Sequence, residues 1–186
     1  MTRHIMIDLE TMGTGPRSAI AAIGAVEFEL CGMGLGATLY RRVNLRSAME
    51  AGLVLDADTV LWWLGQSDAA RAELTSPDNV TLQHALYDLA KMIAGPDGDD
   101  CSTIVWANGT SFDFSILAEA YRAVKFQQPW KYWNERDYRT VRKIGPPVEC
   151  ERTGTHHNAL DDACHQALHL QRVMRRLHQI DLAEAA

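Results

Sequence analysis

The segment Met6-Ile7-Asp8-Leu9-Glu10-Thr11-Met12-Gly13-Thr14-Gly15 sets two carboxylates at alternate positions of an apolar run that stops in a glycine-rich loop. Residues two apart on a β-strand point to the same face, so Asp8 and Glu10 stand side by side. Like charges this close repel and raise each other's pKa. A strand core accepts the pair only with something positive to hold, and a hard divalent cation, Mg²⁺ or Mn²⁺, takes oxygen ligands of this kind. The plainer reading is an edge strand whose acids face water.

Two further segments carry candidate chemistry. Asn108-Gly109-Thr110-Ser111-Phe112-Asp113 reads as a strand end, a tight turn and a helix start. Asp113 then lies in the first helical turn near the carboxyl edge of the sheet, where open α/β sheets place their ligands. An acid there also simply favours the helix N-terminus. His156-His157-Asn158-Ala159-Leu160-Asp161-Asp162-Ala163 puts a histidine ahead of a helix and acids in its first turns. Helical spacing pairs His157 with Asp161, but fails if Asn158 is the N-cap and His157 lies in the loop. Spacing alone leaves the two aspartates open.

The elements that must position these residues follow from patterning. Apolar runs predict strands at residues 4–10, 20–28 and 38–43, joined by connections too short for helical crossovers and so antiparallel. The middle is helical. Asp58 or Thr59 caps 60–66, which contains Trp62 and Trp63; Ser67 or Asp68 caps a short helix ending at Leu74; Thr81 begins an amphipathic stretch that stops at Gly95-Pro96. A polar loop at 97–100 leads to a buried strand at 103–107, and Ser111 caps a helix at 112–124. A helix is expected at 138–144, an irregular loop from Pro146-Pro147 to about His157, and a final helix at 158–180. This order predicts a mixed sheet covered by helices.

A chain of 186 residues is most simply one domain, residues 1–186, with a frayed tail at its end. It is 47% hydrophobic and 23% charged, with no apolar run of the ~18 residues a membrane span needs. Met1-Thr2-Arg3-His4 leads straight into a strand and leaves no room for a signal peptide, so a cytoplasmic setting is expected. The four cysteines form no C-x-x-C pair and are read as free thiols. Cys150, His156, His157, Cys164 and His165 cluster in sequence, but their spacing matches no common zinc finger or ribbon. A net charge of −6 argues against the basic face that usually holds long duplex nucleic acid. A nucleic-acid substrate would be gripped over a few nucleotides, with bound metal supplying much of the positive charge.

Taken together, Asp8-x-Glu10, Asp113 after Asn-Gly-x-x-Phe, and His157-x-Ala-x-x-Asp162-Ala resemble motifs I, II and III of the DEDDh 3′–5′ exonucleases. These form the ribonuclease T-like branch of the ribonuclease H-like superfamily. Asp8-Leu9-Glu10-Thr11-Met12-Gly13, the Trp62-Trp63 pair and Trp130-Lys131-Tyr132-Trp133-Asn134 are similar to its short phage and bacterial members, described as exodeoxyribonuclease VIII-like or as 3′–5′ exoribonucleases.

The resemblance implies an α/β, ribonuclease H-like fold with a mixed five-stranded sheet, three antiparallel strands and then parallel ones, flanked by helices. It selects His157 and Asp162 within motif III. It further implies two Mg²⁺ or Mn²⁺ ions ~3.5–4 Å apart on Asp8, Glu10, Asp113 and Asp162, with His157 as general base. The implied substrate is a 3′ end of RNA or of single-stranded or overhanging DNA, shortened to nucleoside 5′-monophosphates, and a homodimer is implied too. Thr11, Met12, Asn108, Phe112 and Trp63 are the expected substrate contacts. Trp130, Tyr132 and Trp133 are read as base-stacking or buried aromatics, and Arg136, Arg139, Arg142 and Lys143 as a strand guide or a solvated face. The alternatives are a non-catalytic nucleic-acid-binding or assembly module that keeps this fold, and a zinc-binding interaction domain.

Overall fold

A computed structural model describes residues 2–95 and 102–184. The predicted polar loop at 97–100, together with Pro96 and Cys101, lies outside the described residues. The central strand, β1 (His4–Thr11), pairs antiparallel with β2 (Ile20–Phe28), which pairs antiparallel with β3 (Leu35–Val43). Three helices follow, α1 (Leu45–Glu50), α2 (Ala57–Leu64) and α3 (Asp68–Thr75). The short β4 (Asn79–Val80) lies parallel to β3 and leads into α4 (Leu82–Ala94). On the other side of β1, β5 (Ile104–Ala107) is parallel to it, α5 (Thr110–Ala123) crosses over, and β6 (Glu135–Asp137) is parallel to β5. Then come α6 (Tyr138–Ile144) and the long α7 (Ala159–Glu184).

The sheet order is β4-β3-β2-β1-β5-β6, an α/β architecture with six strands rather than the expected five. Patterning located neither β4 nor β6, whose two and three residues are too few to show alternation in the sequence. The six-residue α1 was hidden for the same reason.

Alternation along β1 sorts its two faces. Ile5, Ile7 and Leu9 enter a core with Leu86, Leu89, Phe114 and Leu117 of α4 and α5, whereas Met6 packs with Ala163, Ala167 and Leu170 of α7. Asp8 and Glu10 continue the α7 side past the end of that apolar patch. A Cβ at Gly24 of β2 would lie 2.1 Å from the Ala159 carbonyl carbon. Glycine there lets the first turn of α7 sit directly on the sheet beside Asp8, whose register partner is Gly24.

Two helix starts differ from the predicted ones. Asp56 caps α2: its Oδ1 accepts from the Thr59 N–H at 2.9 Å and from Thr59 Oγ1 at 3.1 Å. Thr59 is thus a donor into the cap, not the cap itself. Ser111 does not cap α5; the N-cap is Gly109, at φ +121°, without a side-chain bond. Asp137, at the end of β6, takes over that role. Its Oδ2 accepts from the Thr110 N–H at 3.0 Å while its Oδ1 accepts from the Thr140 N–H at 2.6 Å. One carboxylate therefore satisfies the first turns of both α5 and α6, an arrangement no local sequence window contains.

Candidate active site

The carboxyl end of β1, the start of α5 and the start of α7 meet at one place. Glu10 stands at an irregularity in the β1/β2 register, between Glu10 and Thr11, which redirects the strand end. His157 lies in the loop ahead of α7 with φ +62°, outside the helix. Asn158 caps that helix, its Oδ1 accepting from the N–H groups of Leu160 at 3.1 Å and Asp161 at 3.2 Å. The two aspartates left open by spacing therefore part. Asp161 Oδ2 accepts from the Thr155 N–H at 2.7 Å, holding the preceding loop. Asp162 turns inward, where ligand atoms of Glu10, His157 and Asp162 all fall within 4.8 Å of one another.

Asp8 and Asp113 complete the acidic cluster. Asp8 Oδ1 accepts from Gln166 Nε2 at 2.6 Å. Asp113 is buried and receives a hydrogen bond from the Leu9 backbone. Burial followed by the Asp113 and Glu10 charges pushes Asp8 well above the ordinary carboxylate range. Burial and the Asp113 charge raise Glu10 to about 7, and burial raises Asp113 to about 7. Burial first, then His156 and Arg152, lowers His157 below its usual value, so that its ring is neutral at pH 7. Clustered, desolvated acids that resist ionisation beside a neutral imidazole fit a divalent cation, which takes oxygen ligands of this kind. The Cys150–His165 region does not converge in this way among the described residues, where Cys31, Cys150 and Cys164 are free thiols.

An open cavity beside Glu10 is lined by Leu9, Thr11, Trp62, Trp63 and Phe112. Trp62 is 46% exposed and meets the His157 ring edge-on, with centroids 5.0 Å apart. Trp63 is only 2% exposed; its Nε1 donates to the Thr11 carbonyl at 3.0 Å and so fixes the loop after Glu10. Met12 is buried in the core, and its backbone bridges Ala19 and Asp56. Asn108 sits behind the site, its carbonyl accepting from Arg139 Nη2 at 2.7 Å and its Oδ1 without a hydrogen-bond partner among the described residues. Trp130 is buried and donates to Glu135, whereas Tyr132 and Trp133 are exposed.

A family described as "3'-5' exoribonuclease Rv2179c-like domain" matches residues 3–174. The chain belongs to that family. This Rv2179c-like domain is 27% identical over 160 residues to the exodeoxyribonuclease of Enterobacteria phage T4, covering 73% of this chain and 68% of that protein. Its fold is similar to that of E. coli exonuclease I solved with zinc and ssDNA (TM-score 0.67, 12% identity), covering 95% of this chain and 41% of the other. It is also similar to the nuclease domain of 3'hExo, a DEDDh family member bound to rAMP (TM-score 0.62, 14% identity), covering 96% and 92%. The Rv2179c-like domain thus spans less than half of the exonuclease I chain.

Two neighbours of the cluster, Gln166 and Arg152, were not singled out from the sequence, and a third, Trp62, was read only within its pair. Gln166 falls one turn after Asp162 on α7, a spacing that could have revealed it. Trp62 was half of a pair whose orientations sequence could not assign. Arg152, in the irregular loop before α7, carries no periodic signal at all.

Proposed function

We propose that this protein is a metal-dependent 3′–5′ exonuclease of the DEDDh type. It would release nucleoside 5′-monophosphates from the 3′ end of RNA or of single-stranded or overhanging DNA. The observation that carries the reading is the convergence of Glu10, His157 and Asp162 within 4.8 Å at the mouth of the Trp62 cavity, in a chain of this family. Asp8, Glu10, Asp113 and Asp162 would hold two Mg²⁺ or Mn²⁺ ions. Bound there, the ions supply the positive charge that acidifies an attacking water and neutralises the phosphate as negative charge builds in the transition state.

The chain's own groups do the rest. His157, neutral and beside Trp62, accepts the water proton at a ring nitrogen. Trp62 holds the imidazole edge-on and offers its remaining face to the terminal base, a contact worth ~1–3 kcal/mol. Trp63 fixes the Thr11 carbonyl, and with it the strand end that aims Glu10. Thr11 and Phe112 line the space for the terminal nucleotide, with Met12 and Asn108 shaping it from behind. Residues 1–186 act as one domain in this reading. The exposed Leu61, Leu64, Tyr132 and Trp133 support a homodimer. Among the described residues no helix is long and apolar enough to cross a membrane.

The test uses RNA and DNA labelled at either end, single-stranded and with overhangs, incubated with Mg²⁺ or Mn²⁺ beside an Asp8→Asn control. Mononucleotides released progressively from the 3′ end, and none with the control, are expected. Internal cuts, or shortening from the 5′ end, would overturn the polarity. A second expectation concerns pH. Glu10 and Asp113 keep their protons until about pH 7, and cation binding needs them ionised. The rise in Tm on replacing EDTA with Mg²⁺ should therefore be small at pH 6 and grow through pH 8. A rise that is equal at both ends would count against these carboxylates as ligands.

A further inference from the structure

The irregular segment between α6 and α7 carries a charged side chain turned toward the acidic cluster rather than toward water. Arg152 Nη2 is ion-paired with Asp162 Oδ1, and the two side chains are only 27% and 16% exposed. Its Nε is enclosed without a hydrogen-bond partner among the described residues. A guanidinium gives up its hydration and leaves a donor unpaired only where surrounding negative charge compensates. That compensation comes from more than Asp162, because the Arg152 charge also acts on Asp8 and Glu10.

The segment is built to deliver this residue and to let it move. Just after Arg152, Gly154 has φ +85°, and a Cβ there would lie 2.4 Å from the Asp161 carboxyl carbon, so only glycine lets the loop lie on α7. The Thr155–Asp161 bond anchors the far side. Before Arg152, the backbone is tied to α7 through the Glu149 carbonyl, which accepts from Arg172 Nη1 at 2.5 Å. Between those two ties the guanidinium is carried on a long, unbranched stem.

We propose that Arg152 is an internal competitor for the metal site: its guanidinium and a divalent cation take Asp162 in turn. This rests on the metal-centre reading above. Both partners need the same inward-facing carboxylate, and a cation bound there would repel a guanidinium at ion-pair distance. Occupation of Asp162 by the guanidinium reduces the fraction of molecules ready to bind metal, and so weakens the apparent affinity by that fraction. Arg152 acts as a positioning residue, setting the cation concentration at which the site loads.

The test compares wild type with Arg152→Gln at pH 8 by calorimetric titration with Mn²⁺ and by melting in EDTA. The variant should bind Mn²⁺ roughly tenfold more tightly, within the usual range of coupling between sites, and should melt at a lower temperature in EDTA. Loss of a nearby positive charge could by itself tighten binding, so a second readout follows the side chain. In ¹⁵N-arginine wild type, the Nε–Hε signal absent from Arg152→Gln should exchange slowly with water in EDTA and quickly once Mg²⁺ saturates the protein. Equal or weaker Mn²⁺ binding by the variant, or a signal that stays protected in Mg²⁺, would overturn the competition while leaving the metal centre standing. Failure of both proteins to bind divalent cations would remove the metal centre, and the competition with it.

Discussion

Replacing His157 with alanine is expected to lower kcat by about 10²–10⁴-fold, the usual contribution of a positioned general base, with little change in KM. The imidazole lies outside the helix ladder of α7, and its ring neighbours are Trp62, Trp63 and His156. Its removal should thus leave Glu10 and Asp162 in place and divalent-cation binding largely intact. Burial, His156 and Arg152 all hold the ring below its ordinary pKa, so wild-type kcat at saturating metal should rise with pH below about 6.5 and flatten above it. The variant should lose that limb. Turnover near wild type in purified, metal-saturated protein would remove His157 from the mechanism.

Glu10→Gln is expected to abolish turnover and yet raise the melting temperature in EDTA at pH 8. The carboxyl is buried beside Asp113 and shifted from its ordinary value near 4.5 to about 7. A group whose pKa is raised on folding binds protons more tightly in the folded state, so its contribution to stability falls as pH rises from about 4.5 to about 7. Above that window the ionised side chain costs about 3 kcal/mol, which the neutral amide avoids. For a chain of this size the gain corresponds to roughly 5–10 °C in Tm, vanishing toward pH 4.5. Asp8→Asn should move in the same direction, since the Asn Oδ1 can still accept from Gln166. A marked fall in metal-free Tm for either variant would show that the carboxylate is a structural acceptor rather than a strained ligand.

Much of the fold was legible because it is written in local periodicity. β2 and α6 occupy exactly the residues their patterns predict, and Thr81 and Ser67 cap the helices assigned to them. The strands β4 and β6 and the helix α1 escaped because two, three and six residues do not complete a readable pattern. Ser111 was misassigned as a cap because the real acceptor, Asp137, is brought to α5 only when β6 pairs with β5.

What the sequence by itself determined is the candidate set of acids and histidine, their order, and the elements that carry them. An alternating strand must put Asp8 and Glu10 on one face, and the three motifs together identify the family. The tertiary structure alone decided which neighbour faces the site. Asp161 and Asp162 differ by ~100° around α7, and only the docking of that helix at Gly24 turns Asp162 toward Glu10 and Asp161 toward the loop. The same rotation separates the half-exposed Trp62 from the buried Trp63 beneath Thr11. Arg152 belongs wholly to the tertiary level: an aperiodic loop carries no sequence signal for where a long side chain ends, and the carboxylates of β1 and α7 face it only once the chain has folded.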